Sequence, residues 1–447
     1  MMKRILGILL LVTMLFGAIG TMVACGDKPE PGTTTQDPGT GGSQTTTSTK
    51  TTTKVIGGGD QTTTSKKDED PEKPAQATTI GTKEELLAWA KGVSASNNYA
   101  GKTVKLTADI YLNDIKDITL DSGETGAWYQ GKNLTEWKPV EGFAGTFDGQ
   151  GHAIYGVYLS VSADDQNGGN FSAGFFGPVN GGTVTIQNLA ILNSYYKFER
   201  TGATEKDGRY VAKTNAYFAG LVPQVQGRAN LTIESCLMDA KFDLYSNSPC
   251  MSDNSSSIRA GGFIGMILGG ATVSINNCAF LGSFYGTKTE VPNGTDGKPL
   301  YTIDKNDKGE NINTIQCGLI YHCDWAASKI SVTNTIAVPK FVDPEVTFDG
   351  AFIKEANDSN TTRVATNNFG TTIAGTGKTT DGNIPLSTRK EAGEMIGDAL
   401  KDLGDGWTMV EGKLPVAQVF ADAHKDGVDD FTYAPEVSPA EPEEPEA

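Results

Sequence analysis

The sequence predicts an all-β fold: a right-handed parallel β-helix, a solenoid, closed by helical caps at its N- and C-terminal ends. Three observations lead there. One pattern recurs four times, each copy divides into short strands, and helical spacing flanks the repeated region on both sides.

Residues 1–25 stand apart from that fold. Lys3 and Arg4 give a basic start, residues 5–16 are apolar, and Met22-Val23-Ala24 precede Cys25. This is the build of a secretory signal with small residues before the cut. It resembles a bacterial lipoprotein signal, which implies that Cys25 is the lipidated first residue of the mature chain. Acyl chains there would anchor the protein to a membrane without spanning it. The expected location is the extracellular face of a bacterial cell membrane. No other stretch approaches the roughly 20 apolar residues that a spanning helix needs.

The formal charge is −17 for the 447 residues, and −19 once the segment carrying Lys3 and Arg4 is removed. So acidic a chain is not suited to nucleic acid or to electrostatic attachment to anionic lipid. Residues 26–78 are Thr, Gly, Pro, Ser and charged residues with almost no apolar side chains. Such a segment cannot bury a core, and it reads as a stalk with a root-mean-square reach of roughly 40 Å.

Folded structure is expected over residues 79–386. Thr82-Lys83-Glu84-Glu85 opens a helix, because Thr82 can cap and Glu85 lies three residues later, a capping box. Leu86, Leu87, Trp89 and Ala90 supply its apolar face, and the helix reads as the N-terminal cap. The alternating runs Thr103-Val104-Lys105-Leu106 and Ile110-Tyr111-Leu112 read as half-buried strands. Residues 145–154 read as a Gly-rich turn. The run from Ala153 to Leu159 can be laid on Thr185 to Ile191.

The four clear copies follow. They pair Gly174-Phe175-Phe176-Gly177 with Val184–Leu189, Gly220-Leu221-Val222 with Leu231–Cys236, Gly262-Phe263-Ile264-Gly265 with Val273–Cys278, and Gly318-Leu319-Ile320 with Ile330–Thr335. Each first Gly lies 10 to 12 residues before the second run, while successive copies start 46, 42 and 56 residues apart. A fixed inner frame with variable outer spacing means stacked units whose loops differ in length. The third copy divides into three strands, Gly262–Ile267, Thr272–Phe280 and Ser283–Tyr285. A degenerate last copy covers Val364–Phe369. Asn188, Asn277 and Asn334 share one slot, broken by Ser235, and should form an asparagine ladder at a bend. Cys236 and Cys278 share the next slot and should stack, as buried thiols or as a disulfide between neighbouring copies. Residues 387–433 read as the C-terminal cap: Ala392, Met395, Ile396, Ala399, Leu400 and Leu403 have helical spacing, with Trp407, Met409 and Leu414-Pro415-Val416 beyond. Residues 434–447 form an acidic Pro/Glu-rich tail.

These residues resemble a known family. The unit from Gly261 to Gly286 resembles the GLUG repeat, and Phe143-Ala144-Gly145-Thr146-Phe147-Asp148-Gly149-Gln150-Gly151 resembles the lead-in that often precedes such repeats. Pro223 and Tyr321 depart from the motif where it has a second glycine. The resemblance covers about residues 80–430. It implies a β-helix-like fold and a bacterial cell surface, since GLUG repeats occur in secreted and surface proteins and beside the catalytic unit of some immunoglobulin A metallopeptidases. It implies no activity.

The search for chemistry finds no catalytic residue, no metal site and no cofactor. Only His152, His322 and His424 are present, and none is followed by Glu, so the His-Glu-x-x-His zinc-peptidase pattern is absent. His152 reads as a turn residue. Cys317 and Cys323, with His322, do not have zinc-ligand spacing. Asp109, Asp114 and Asp117, and separately Asp164-Asp165, are acidic groups that could bind Ca²⁺ or act as a glycosidase pair, but exposed acids are expected in such a chain. Trp128, Tyr129 and Trp137 are the candidate ligand-binding residues, the alternative being that they pack the loop onto the first strands. The expected function is adhesion or binding of a glycan or host matrix protein. A polysaccharide lyase or glycoside hydrolase and a structural envelope component are the alternatives.

Overall fold

A computed structural model describes residues 79–113, 133–164, 171–201, 216–246, 259–286, 314–323, 328–342, 406–410 and 413–424, with shorter runs between and after these and Phe431. All belong to the second of two compact units, Asp70–Ala447. The signal, Cys25, the stalk, Trp128, Tyr129, the expected helix before Leu403 and the acidic tail lie outside the described residues.

The repeats build the structure by stacking like on like. Thr183–Gln187, Asn230–Glu234, Thr272–Asn276 and Lys329–Thr333 share one alternating burial pattern, with the second and fourth residues inward. Val184, Leu231, Val273 and Ile330 therefore fall in one row, and Ile186, Ile233, Ile275 and Val332 in the next, through parallel in-register pairing. With Thr79–Ile80, Thr103–Leu106, Thr146–Asp148 and Thr362–Thr366 they form an eight-stranded sheet. An eleven-stranded and a seven-stranded sheet complete the main body. The faces of the three sheets meet in one large apolar core that holds Phe147, Phe175, Phe198, Phe242, Phe263 and Phe280, all fully buried. Ring stacking continues from copy to copy, as between Phe198 and Phe218 at 4.5 Å and between Phe242 and Phe284 at 5.1 Å.

The asparagine slot is a corner at which the backbone turns left-handed. Asn188, Ser235, Asn277 and Asn334 have φ of 54°, 48°, 52° and 49°, a region that Asn tolerates better than most residues. Asn188 Nδ2 donates to Asp148 Oδ1 at 3.0 Å and Asn334 Nδ2 to Asn276 Oδ1 at 3.1 Å, each reaching the preceding copy. In the next slot Cys236 and Cys278 are buried free thiols, not a disulfide. Their S–H groups donate two residues back, to the carbonyls of Glu234 at 3.4 Å and Asn276 at 3.1 Å. Thr335 does the same with its hydroxyl, to Thr333 at 2.9 Å. In these three copies the slot holds a small side chain that donates to the carbonyl two residues back, while the first copy has Leu189 there.

The expectation of a β-helix with a helical cap at each end is corrected by these sheets and helices. The sheets are unequal and two of them branch: Tyr158–Asp164 and Ser283–Gly286 pair off the main path of the eleven-stranded sheet, and Val222–Gln226 off that of the seven-stranded one. Strands of 9 to 12 residues, such as Ala190–Thr201 and Arg259–Ile267, stand among the short strands of the copies. A three-stranded sheet with an antiparallel pair and a separate antiparallel hairpin lie beside them. One helix of ten residues, α1 (Lys83–Gly92), is matched near the other terminus by α2 (Gln418–Ala423), only six residues long. The fold is all-β and built mainly of parallel sheets, and the solenoid with two caps does not describe it.

Individual assignments shift as well. Thr146–Asp148 is a strand, not part of a turn, and it pairs with Thr185, Ile186 and Gln187. Ala153 therefore pairs with Ala190, not with Thr185. The middle strand of the third copy breaks at the left-handed Asn277, into Thr272–Asn276 and Ala279–Phe280. Helix α1 has both halves of the expected capping box, with the Glu85 amide donating to Thr82 Oγ1 and the Thr82 amide to Glu85 Oε2, each at 3.2 Å. It buries Leu86 and Trp89, and the indole packs 5.6 Å from the Phe143 ring.

A second, smaller core lies under the C-terminal segment. In the two-residue step after each corner, one side chain enters the main core: Ile154, Ile191, Met238, Phe280 and Ala337. Its neighbour points the other way: Ala153, Ala190, Leu237, Ala279 and Ile336. Trp407, Leu414, Val416, Phe420 and Phe431 cover this second row. The covering segment runs back across the copies. Trp407 Nε1 donates to the Asn334 carbonyl at 3.2 Å, late in the stack, and α2 brings His424 to Asp109 and His152 at its beginning.

Candidate functional site

Of the three candidate ligand-binding residues, Trp137 is the one that the structure describes. Trp137 is a core residue: it is 1% exposed, its ring stacks on Phe175 at 4.4 Å, and Nε1 donates to the Phe175 carbonyl at 2.9 Å. It offers no surface to a ligand, which corrects its assignment as a binding residue. Asn188, Asn277, Asn334, Cys236 and Cys278 are structural, as set out above. Burial, reinforced by the neighbouring Cys236, holds the Cys278 thiol well above the usual thiol range, so it stays protonated and unreactive.

A cluster of Asp109, His152 and His424 forms instead. One nitrogen of each histidine and one carboxylate oxygen of Asp109 all lie within 4.8 Å of one another. Asp109 directly precedes Ile110–Tyr111, an edge strand of the eleven-stranded sheet. His152 follows the Gly149–Gly151 turn and precedes Ala153–Tyr155, the next strand in that sheet. His424 is the C-terminal capping position of α2.

Close packing sets these positions. At Gly149 an added Cβ would lie 2.3 Å from the Asn188 carbonyl oxygen, so the turn can sit on the corner of the next copy only without a side chain. Gly151 has φ +83°, and a Cβ there would lie 2.6 Å from the Val419 carbonyl oxygen and 2.8 Å from the Ala423 Cβ. This glycine lets α2 approach close enough for His424 to reach the cluster.

Asp109 is the centre of the cluster. Its Oδ1 accepts the Ala153 amide at 2.9 Å and lies 3.2 Å from His152 Nδ1. His424 Nε2 lies 3.0 Å from Oδ2 and 3.2 Å from Oδ1. The other His424 nitrogen, Nδ1, lies 3.2 Å from the Phe420 carbonyl. The side chains are 16% to 24% exposed, so one side of the cluster remains open to solvent. The sequence reading expected no metal site; this arrangement supplies two imidazoles and a carboxylate, a donor set that suits zinc and its neighbours among the transition metals.

Comparison with known proteins adds little to this geometry. No family model and no curated protein matches the chain. A solved structure from Bacteroides ovatus, described in its own name as a "putative immunoglobulin A1 protease", is 14% identical, with 76% of this chain and 92% of that chain covered and a TM-score of 0.39. A likeness of that size carries no argument about fold or activity.

Two residues from the cluster along the same edge strand, Tyr111 is half exposed, at 50%. Its ring stacks on buried Tyr155 with centroids 4.5 Å apart and planes 4° from parallel. The base of the loop that carries Trp128 and Tyr129 is fixed close by. Asn113 Nδ2 donates to the Thr135 carbonyl at 2.8 Å, the Thr135 amide donates back to Asn113 Oδ1 at 2.7 Å, and Lys83 Nζ donates to the Leu112 carbonyl at 2.6 Å. The sequence reading placed Ile110-Tyr111-Leu112 on a strand but attached no function to the tyrosine. What it lacked was the pairing with Tyr155, 44 residues on.

Proposed function

We propose that this chain is a lipid-anchored bacterial surface protein that binds a glycan or a host matrix protein through its parallel-sheet body. Cys25 carries the lipid, residues 26–78 lift the body from the membrane, and the likeness of residues 261–286 to the GLUG repeat supports a surface setting. The observation that carries the binding reading is the Tyr111 ring. Tyr155 backs it on one face, so its orientation is fixed before any ligand arrives, and little side-chain entropy is lost on binding. A flat aromatic surface held in this way complements the C–H face of a sugar ring, which favours glycan over matrix protein.

The test applies the full chain, purified in detergent, to immobilised glycans and matrix proteins and assays the bound material for cleavage. The expected result is saturable binding of intact glycan, weakened about two- to tenfold in Tyr111→Ala, in line with the roughly 0.5–1.5 kcal/mol of an aromatic contact. Unchanged binding in Tyr111→Ala would remove the Tyr111 face from consideration. Release of oligosaccharide would replace the binding reading with a polysaccharide-degrading one.

A further inference from the structure

We propose that Asp109, His152 and His424 bind a divalent transition-metal ion of the zinc class, and that this ion fastens the C-terminal segment to the first strands of the sheets. The inference goes beyond surface binding and stands without it.

His424 carries the argument. Its Nδ1 faces the Phe420 carbonyl and its Nε2 faces the Asp109 carboxylate, two acceptors for the single proton of a neutral ring. With that proton on Nδ1, Nε2 turns a lone pair toward the two oxygens of Asp109, at 3.0 and 3.2 Å. Lone pair against carboxylate is repulsive unless a positive centre lies between them. His152 Nδ1 approaches the same carboxylate at 3.2 Å. These separations are close to those that a metal imposes, since ligands about 2.1 Å from a four-coordinate ion lie about 3.4 Å from each other. The bond from Nδ1 to a backbone carbonyl is the outer contact that metal-bound histidines usually make, and it fixes which nitrogen coordinates.

Chemistry and position narrow the ion and its role. Two imidazoles and one carboxylate favour Zn²⁺ and its transition-metal neighbours over Ca²⁺ or Mg²⁺, which take oxygen donors. The open side leaves room for water as a further ligand. Asp109 and His424 are 315 residues apart in the chain, and the Phe420 and Phe431 rings that cover the second core lie directly beside the site. An ion that binds the closed arrangement and not the opened one stabilises the closed arrangement by mass action.

The full chain in detergent, stripped with chelator, is titrated with Zn²⁺ by calorimetry and, in a separate sample, with Co²⁺ followed by visible absorption. The expected results are one saturable equivalent, a Co²⁺ spectrum of low coordination number, and a melting temperature that rises with Zn²⁺ and falls again with EDTA. His152→Ala and His424→Ala should each weaken binding by more than about 100-fold, while His322→Ala should bind normally. Because loss of the His424 ring could disturb packing, the unaltered protein gives a second readout. Zn²⁺ should slow acylation of His152 and His424 by diethyl pyrocarbonate, mapped by mass spectrometry, and leave His322 unaffected. The absence of saturable binding, undiminished binding in both variants, or acylation of the two histidines at the same rate with and without Zn²⁺ would each overturn the proposal and leave a His–Asp–His hydrogen-bonded clamp.

Discussion

Asp243 is 4% exposed, on a strand beside Tyr195, whose hydroxyl donates to its Oδ2 at 2.5 Å. Burial pushes the Asp243 carboxyl above the usual carboxylate range; the Tyr195 hydrogen bond and the charge of Lys197 oppose this, and Glu199 adds to it. The folded chain therefore holds that proton more tightly than the unfolded chain does. Between the ordinary carboxylate value, about pH 4, and the raised folded value, the folded state binds more protons, so the contribution of Asp243 to stability falls as pH rises. Asp243→Asn keeps an acceptor for Tyr195 and removes the titration. Its melting temperature relative to the parent chain should climb from pH 4 to pH 7, and a difference that stays flat across that range would show that burial does not govern this carboxyl. Residue-level legibility was uneven for physical reasons. The slot shared by Asn188, Asn277 and Asn334 was visible because a left-handed corner selects Asn again and again. His424 was invisible as a cluster member because nothing local marks a partner 315 residues away.

At the scale of elements, local signals read best where backbone geometry demands particular residues. Helix α1 announced itself through Thr82 and Glu85, because a capping box is chemistry confined to four residues. Strand pairing across copies was legible from rows of Val, Ile and Leu, although Ala153 was placed on the wrong row because the short strand Thr146–Asp148 is embedded in glycines. The glycines themselves were read as turn formers, and that reading misses half of their role. Gly151 has no side chain because α2 lies against it. Gly151→Ala has to shift the Val419 backbone or turn the helix away, and it also carries a strained φ of +83°. The variant should keep the main core and loosen α2, so limited proteolysis should cut between Gln418 and His424 several-fold faster, with the parallel sheets still resistant. Equal cleavage rates in the two proteins would mean that α2 is held by its other contacts, chiefly Phe420.

For the whole molecule, the decisive feature is that the eleven-stranded sheet is buried on both faces by different parts of the chain. Consecutive apolar pairs after each corner, Ala153-Ile154, Ala190-Ile191, Leu237-Met238, Ala279-Phe280 and Ile336-Ala337, send one residue to each core. A strand with both faces covered loses the period-two alternation that otherwise marks a strand. Those pairs therefore called for a covering element, and the sequence reading assigned the apolar residues near Trp407 and Leu414 to an end cap because it had no reason to fold them back along the stack. A chain ending at residue 402 tests this. Without Trp407, Leu414, Val416 and Phe420, the row formed by Ala153, Tyr155, Leu192, Leu237, Leu281 and Val338 becomes a continuous apolar strip of the kind that soluble monomers seldom leave open. The sheets should still form, because none of the described residues that are lost belongs to the main core. The shortened protein should thus keep the far-ultraviolet dichroism of a β protein while binding a hydrophobic dye and self-associating in sedimentation. A dye-negative monomer would mean that the strip is covered by something other than the returning segment. Loss of the β signal would mean that the second core is needed for the first to form, since the described residues among 403–431 contribute to the one and not to the other.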